Sequence, residues 1–348
     1  MGAVKVGVMA GYWGAQPPRR MEQTIAEAEA LGVDSFWTAE SYGSDALTPL
    51  AWWGAKTNRI ALGTSVCQIS ARTPTALAMA AQTIDHLSGG RLILGIGASG
   101  PQVVEGWYGR PYPRPLERTR EYVAIMRAVW ERTEPVTFAG KHYQLPYPGG
   151  TGLGKPLKSI VHPLRRDIPV YLGAEGPKNV ALAAEIADGW TPLWFSPKSD
   201  EFYRTALSEG FARDGARRTA EDFEIANVCW LSEDDDVDRA AARLKPVVAL
   251  YAGGMGAQGA NFHNDVFARM GWGEVCAEIQ RLYLGGRADL ATQAVPTAMV
   301  EDVALVGPVD KICEDIVNRW KPTCLTTVIL GGWPKPESRE RILEAVRS

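Results

Sequence analysis

A chain of 348 residues, 46% apolar and 22% charged, has the composition of an ordinary globular protein with ample length for a large core. A net charge of −3 argues against a nucleic-acid binder, and no apolar run approaches the roughly 20 residues of a membrane span. The opening MGAVKVGVMAGYWG enters a strand pattern without a leader, and the five cysteines are scattered with no C-x-x-C, so reduced thiols and a cytoplasmic location are expected.

Helix and strand signals alternate along the chain. Residues 4–10 are a short apolar run, and 19–31 carry a helical stripe at Ile25, Ala28 and Leu31 that Gly32 ends. A strand is predicted at 33–38, a helix at 46–56 and a third strand at 60–69. Thr73 and Pro74 open the next helix as N-cap and first residue, with Leu77, Ala80, Ile84 and Leu87 on one face and Gly89-Gly90 closing it. A fourth strand at 91–96 and a helix at 116–132 follow. Residues 133–167 are rich in Pro and Gly and too long for a routine connection; such loops are often functional. The alternation resumes with strands at 169–172, 189–195 and 223–231 and helices at 177–187 and 200–214. A last strand at 324–330 precedes a helix at 337–347. This series of strands, most followed by a helix, favours an α/β fold of the (β/α)8 TIM barrel type over an open sheet. The mostly helical sequence at about 232–323, between strands seven and eight, reads as an insertion at the barrel mouth, and the whole of 1–348 as one domain.

Several motifs mark a site. Residues 95–100, Gly-Ile-Gly-Ala-Ser-Gly, spell G-x-G-x-x-G, but a dinucleotide fingerprint needs these glycines after the first strand of its unit, not the fourth. Either they simply permit a tight turn, or they present backbone donors to a polar ligand at the mouth. Residues 173–180, Gly-Ala-Glu-Gly-Pro-Lys-Asn-Val, end a strand and open a helix, leaving the N–H groups of Lys178, Asn179 and Val180 free to meet a phosphate. The alternative is a helix start without a ligand. Glu40, at the end of the second strand, is either an exposed loop acid or a carboxylate aimed into the mouth for proton handling. The histidines lack metal-ligand spacing, so no metal site is expected, and only His263, in the soft tract 251–264, is a candidate to face a substrate. Trp107 and Trp194 lie close to loops and are candidate ligand platforms. There is no G-x-S-x-G elbow and no Walker sequence.

Taken together, Gly63-Thr-Ser-Val66, Ala71-Arg-Thr-Pro74, Leu87-Ser-Gly-Gly-Arg-Leu-Ile-Leu-Gly-Ile-Gly97, Gly173-Ala-Glu-Gly-Pro177 and Ala187-Asp-Gly-Trp190 resemble the luciferase-like flavin and deazaflavin oxidoreductases. The resemblance spans essentially the whole chain. It is closest to the branch that uses coenzyme F420, which includes methylenetetrahydromethanopterin reductase and F420-dependent glucose-6-phosphate dehydrogenase. It implies a (β/α)8 barrel with an insertion after strand seven and a non-prolyl cis peptide at Ser65–Val66 backing the deazaflavin ring. Gly63, Ser65 and Val66 would support that ring, and Ala98, Ser99 and Gly100 would line it. The phosphate would sit on the amides of Gly176, Asn179 and Val180, beside Ala174 and Glu175. Glu40 takes the place of an acid near the ring's polar edge, and His263 with its Gly-rich tract would form part of a mobile lid.

The resemblance further implies hydride transfer to or from a small-molecule substrate, and a homodimer. Where the glucose-6-phosphate enzyme has a His after the acid of the second strand, this chain has Ser41. Where it has a Glu and an Asn after the fourth strand, this chain has Gly100-Pro-Gln-Val-Val, and Val103 and Val104 point to a more apolar substrate. FMN is the alternative cofactor, in an oxygen-using monooxygenase; a non-catalytic carrier of the cofactor is the second alternative. The carboxylates of the longer F420 tail would give Lys178, Arg72 and Lys198 more to do.

Overall fold

The computed structural model describes residues 3–256 and 261–348. Eight parallel strand segments form the barrel: β1 Lys5–Met9, β2 Ser35–Thr38, β3 Ala61–Thr64, β4 Leu92–Gly97, β5 Val170–Gly173, β6 Gly189–Trp190, β7 Glu224–Glu233 and β8 Thr327–Leu330. Each pairs with the next, and β8 pairs with β1 in the register Lys5 opposite Thr327, which closes the ring. The fold is therefore the (β/α)8 barrel. Helices cover the outer face of the ring and side chains fill its interior, so the strands read as nearly continuous apolar runs. Val6, Val8, Phe36, Leu62, Leu92 and Leu94 belong to the main core. Met9, Trp37, Tyr171, Ala226, Val228 and Ile329 form a separate cluster that plugs the interior.

Trp37 fixes two glycines below the mouth. A Cβ on Gly63 would lie 2.3 Å from the Trp37 ring, and one on Gly7 2.9 Å from its indole nitrogen. That indole N–H donates to Ser35 Oγ at 2.7 Å.

The helix Pro74–Leu87 starts as its sequence indicates, with Thr73 Oγ1 accepting from Ala76 N. Its inward stripe is rotated from the expected one: Leu77, Ala78, Ala81 and Ile84 are buried, while Leu87 is exposed. The rotation brings Gln82 and Asp85 inward, and both hold the long loop 133–167. Gln82 Nε2 donates to Val161 O at 2.9 Å, and the Arg165 guanidinium pairs with Asp85. The loop is thus strapped to the outside of this helix, with a small antiparallel pair Phe138–Ala139 and Gln144–Leu145, and none of it reaches the mouth.

Between β7 and β8 the chain forms short helices around a second apolar cluster that includes Val248, Phe267, Cys276, Ile279 and Met299. Trp194 belongs to that cluster, stacking on Trp230 of β7 with ring centroids 6.0 Å apart. A short strand the sequence pattern did not reveal, Ala304–Gly307, pairs with the far end of β7. It is too short to announce itself against a helical background.

Candidate active site

The C-terminal ends of the strands enclose a cavity of about 550 Å³, the usual place for an active site in this fold. Its floor begins at β3. After Thr64 the chain bulges through Ser65 and Val66 before pairing again at Cys67–Gln68, and the Ser65–Val66 peptide is cis. Ser65 Oγ lies 2.9 Å from Thr191 Oγ1, tying the bulge to the loop after β6.

The glycines of β4 and β5 exist to receive this bulge. A Cβ on Gly95 would fall 1.9 Å from Thr64 O, one on Gly97 2.7 Å from Val66 Cγ2 and one on Gly173 3.1 Å from Val66 Cγ1. Thr64 Oγ1 also accepts from Gly95 N at 2.9 Å and donates to Gly95 O at 2.8 Å. Gly95 and Gly97 thus neither shape a tight turn nor cradle a dinucleotide. Ala98, Ser99 and Gly100, beyond the strand, do line the cavity, with Ser99 at φ +60° and Gly100 as the N-cap of a short helix Pro101–Gly106.

Of the other residues singled out in the sequence, Glu40, Ser65, Val66, Ala174, Glu175, Gly176, Asn179 and His263 also face the cavity. Gly63 does not, because its face carries Trp37. Val180 is buried, and its N–H closes the helix turn on Gly176 O at 3.0 Å; Asn179 N–H donates to the same carbonyl at 3.0 Å. The open donors at the start of the helix Pro177–Ile186 are therefore those of Gly176 and Lys178, since a helix leaves only its first N–H groups free. A Cβ on Gly176 would meet nothing within 4 Å, so the space over this helix start is open.

Val103 lines the cavity but Val104 turns into the core, and Trp194 is buried while Trp107 stands exposed near Tyr42. The tract 251–264 contributes Tyr251, Met255, Phe262 and His263; residues 257–260 lie outside the described residues.

Glu40 is buried and fully engaged. Arg72 Nη1 donates to both carboxylate oxygens, at 2.8 and 2.9 Å, and Gln68 N donates to Oε2 at 2.7 Å. This partner is invisible to spacing, because the fold joins residues 32 positions apart. Lys198 is likewise occupied, on Asp302 at 2.8 Å, which leaves Lys178 as the exposed cation at the cavity edge among the three basic residues proposed for a coenzyme tail.

Glu175 and His263 behave differently. Burial pushes the Glu175 carboxyl up to about 7, against the opposing pull of backbone N–H groups and of Arg269. Burial also pushes the His263 imidazole down to about 4. Both side chains face the cavity space yet are surrounded by packed protein, so charge is disfavoured on each.

The family model for luciferase-like monooxygenases matches residues 3–325. The chain belongs to that family. A Mycobacterium tuberculosis protein with the provisional name coenzyme F420-dependent oxidoreductase is 56% identical over 97% of this chain and 97% of its own length. The 5,10-methylenetetrahydromethanopterin reductase of Archaeoglobus fulgidus is 30% identical over 92% of each chain. Among solved structures, the coenzyme F420-dependent tetrahydromethanopterin reductase of Methanopyrus kandleri superposes with a TM-score of 0.78 at 23% identity, covering 100% of this chain and 98% of that one. Within the luciferase-like family, the named relatives mark the branch of F420-dependent oxidoreductases.

Proposed function

We propose that the chain is a coenzyme F420-dependent oxidoreductase that moves a hydride between the deazaflavin and an apolar organic substrate. The carrying observation is one cavity that joins the Ser65–Val66 bulge to the open helix start at Gly176. The strong likeness to an F420-named relative supports it. When bound, the coenzyme supplies a two-electron donor or acceptor; the chain supplies position, a dry pocket and a proton.

Ser65, Val66, Ala98 and Ser99 would give the ring a floor. The N–H groups of Gly176 and Lys178 at the helix start would hold the phosphate, with the Lys178 ammonium nearby for the anionic tail. The Glu40–Arg72 pair would act as a fixed polar edge, since both carboxylate oxygens are already engaged. Val103, Tyr12, Met255 and Phe262 would enclose an apolar substrate and exclude water. The same reading has the protein working as a cytoplasmic homodimer without nucleic-acid or membrane partners. No helix among the described residues is long and apolar enough to cross a membrane.

Titration of the purified protein with coenzyme F420 and with FMN, side by side, tests the reading. Saturable quenching of F420 fluorescence in the micromolar range is expected, with weaker or no response to FMN. No F420 binding at tens of micromolar removes the proposal, and tighter FMN binding with oxygen uptake on reduction replaces it with the monooxygenase reading.

A further inference from the structure

Two polar side chains in the cavity wall each keep one buried atom that the fold does not use. Among the described residues, Glu175 Oε2 and His263 Nδ1 are shielded from solvent yet have no hydrogen-bond partner. Glu175 and His263 keep only 12% and 21% of their side-chain surface, and His263 Nδ1 lies 3.8 Å from Glu175 Oε1. An enclosed carboxyl normally takes a cation as partner. The nearest guanidinium declines that part: Arg269 Nη2 donates to the backbone carbonyl of Glu175 at 3.1 Å and to Tyr203 OH at 3.4 Å. On Oε1 the carboxyl accepts from Leu193 N at 3.1 Å, which leaves Oε2 as the free end.

We propose that Glu175 is the proton donor of this site, serving a carbonyl or imine substrate, with His263 as the positioning partner that keeps the carboxyl supplied with its proton. The inference rests on the hydride reading above. Addition of hydride at the carbon of such a substrate leaves the π electron pair on its oxygen or nitrogen. The Glu175 O–H bond breaks, its electron pair stays on the carboxylate, and the proton goes to that heteroatom. The substrate is reduced by two electrons at the expense of the reduced deazaflavin, and the carboxylate recovers a proton from solvent past His263. In the oxidative direction each transfer reverses.

Glu40 is the weaker candidate for this work, because Arg72 would have to be displaced first. The burial that raises Glu175 to about 7 and keeps His263 uncharged fits a pair that shares one exchangeable proton at neutral pH. The titratable and charged groups around Glu175 are His263, Arg269, Tyr12, Tyr203 and Tyr251. The tyrosines are pushed up by burial, so near neutral pH only the carboxyl itself is poised to titrate.

Infrared titration of the coenzyme-free protein reads the group directly. The wild type is expected to show a protonated-carboxyl band that titrates near pH 7 and is missing in Glu175→Gln. With coenzyme F420 and a panel of ketones, aldehydes and imines, Glu175→Gln is expected to bind the coenzyme within about threefold of wild type. Its turnover should fall at least about 100-fold and lose the pH limb near 7. Glu175→Asp, which keeps an acid, should recover part of the rate, and His263→Asn should shift the limb without changing coenzyme affinity; these two also serve if Glu175→Gln does not fold. Coenzyme binding with an unaltered pH profile in Glu175→Gln, or a wild type without the band, overturns the donor role alone. A wild type that shows the band but does not bind the coenzyme overturns the hydride reading and the donor role with it.

Discussion

Glu175 and His263 give the protein two opposed pH signatures within one contact. Glu175 is raised from 4.5 to about 7, so the folded state holds its proton more tightly than the unfolded chain. The stability it contributes is complete below about pH 4.5 and is lost as pH rises through about 7. His263 is lowered from 6.5 to about 4, so its contribution is complete above about pH 6.5 and is lost as pH falls through about 4. The two slopes oppose each other between these limits, and the wild type masks both. Urea unfolding across pH 4–8 separates them. The wild-type advantage over Glu175→Gln should shrink as pH rises, and the advantage over His263→Asn should grow. Parallel slopes for the two variants would mean that the pair is not held neutral. Neither residue was legible as half of a pair. Glu175 belonged to a phosphate-side loop and His263 to a soft tract of the insertion, and no sequence spacing connects them.

At the level of elements, glycine has two unlike uses here, and one sequence pattern hides the difference. Gly95 is space for the neighbouring strand and Gly97, at the cavity wall, for the Val66 bulge, whereas Gly176 is space for a ligand. Gly95→Ala should fail to fold, because its Cβ would sit 1.9 Å from Thr64 O, which is backbone and cannot swing aside. Gly176→Ala should fold with an unchanged melting temperature, since its φ of −83° suits alanine and nothing stands within 4 Å. It should still lose at least about tenfold in F420 affinity, because backbone donors work only if the ligand can approach them closely. Thermal melts and fluorescence titration of the two variants check this contrast. An unaltered affinity in Gly176→Ala would move the phosphate away from this helix. The helix beginnings were readable from Thr73-Pro74 and Gly176-Pro177, where an N-cap position followed by proline sets the backbone. The inward face of the Pro74–Leu87 helix was not, because the strapped loop 133–167 rewards burial of Gln82 and Asp85, which no apolar pattern records.

Across the whole molecule, the two ends of the barrel divide the work. The C-terminal end carries the cavity, while the opposite end is clamped by Asp188. Its carboxylate accepts from Arg217 Nε at 2.7 Å, Arg218 Nε at 2.8 Å, Arg127 Nη2 at 3.0 Å and Val170 N at 2.9 Å. Burial, and then the neighbouring Arg127 and Arg218, pull Arg217 down to about 10, and the more exposed Asp167 joins Asp188 in pairing with all three arginines. Asp188→Asn should cost about 2 kcal/mol of stability, by removing the buried acceptor of three arginines that Asp167 would then hold only from the more exposed side, with F420 affinity unchanged. Denaturant midpoints beside coenzyme titration decide it, and a loss of affinity at full stability would refute the division. The Asp of Ala187-Asp-Gly-Trp190 is thus structural, although the motif helped to mark the family.

The sequence by itself determined the alternation of strands and helices, the barrel they close into, the family and the loops that meet at its mouth. Those features follow from local periodicity, capping and short motifs. Tertiary structure alone decided that Trp37 occupies the face of Gly63, that Arg72 neutralises Glu40 and that the insertion sets His263 against Glu175. Each of these depends on which side chain from another element fills a given space or satisfies a given charge, and only the packed strands, loops and insertion bring those partners within reach.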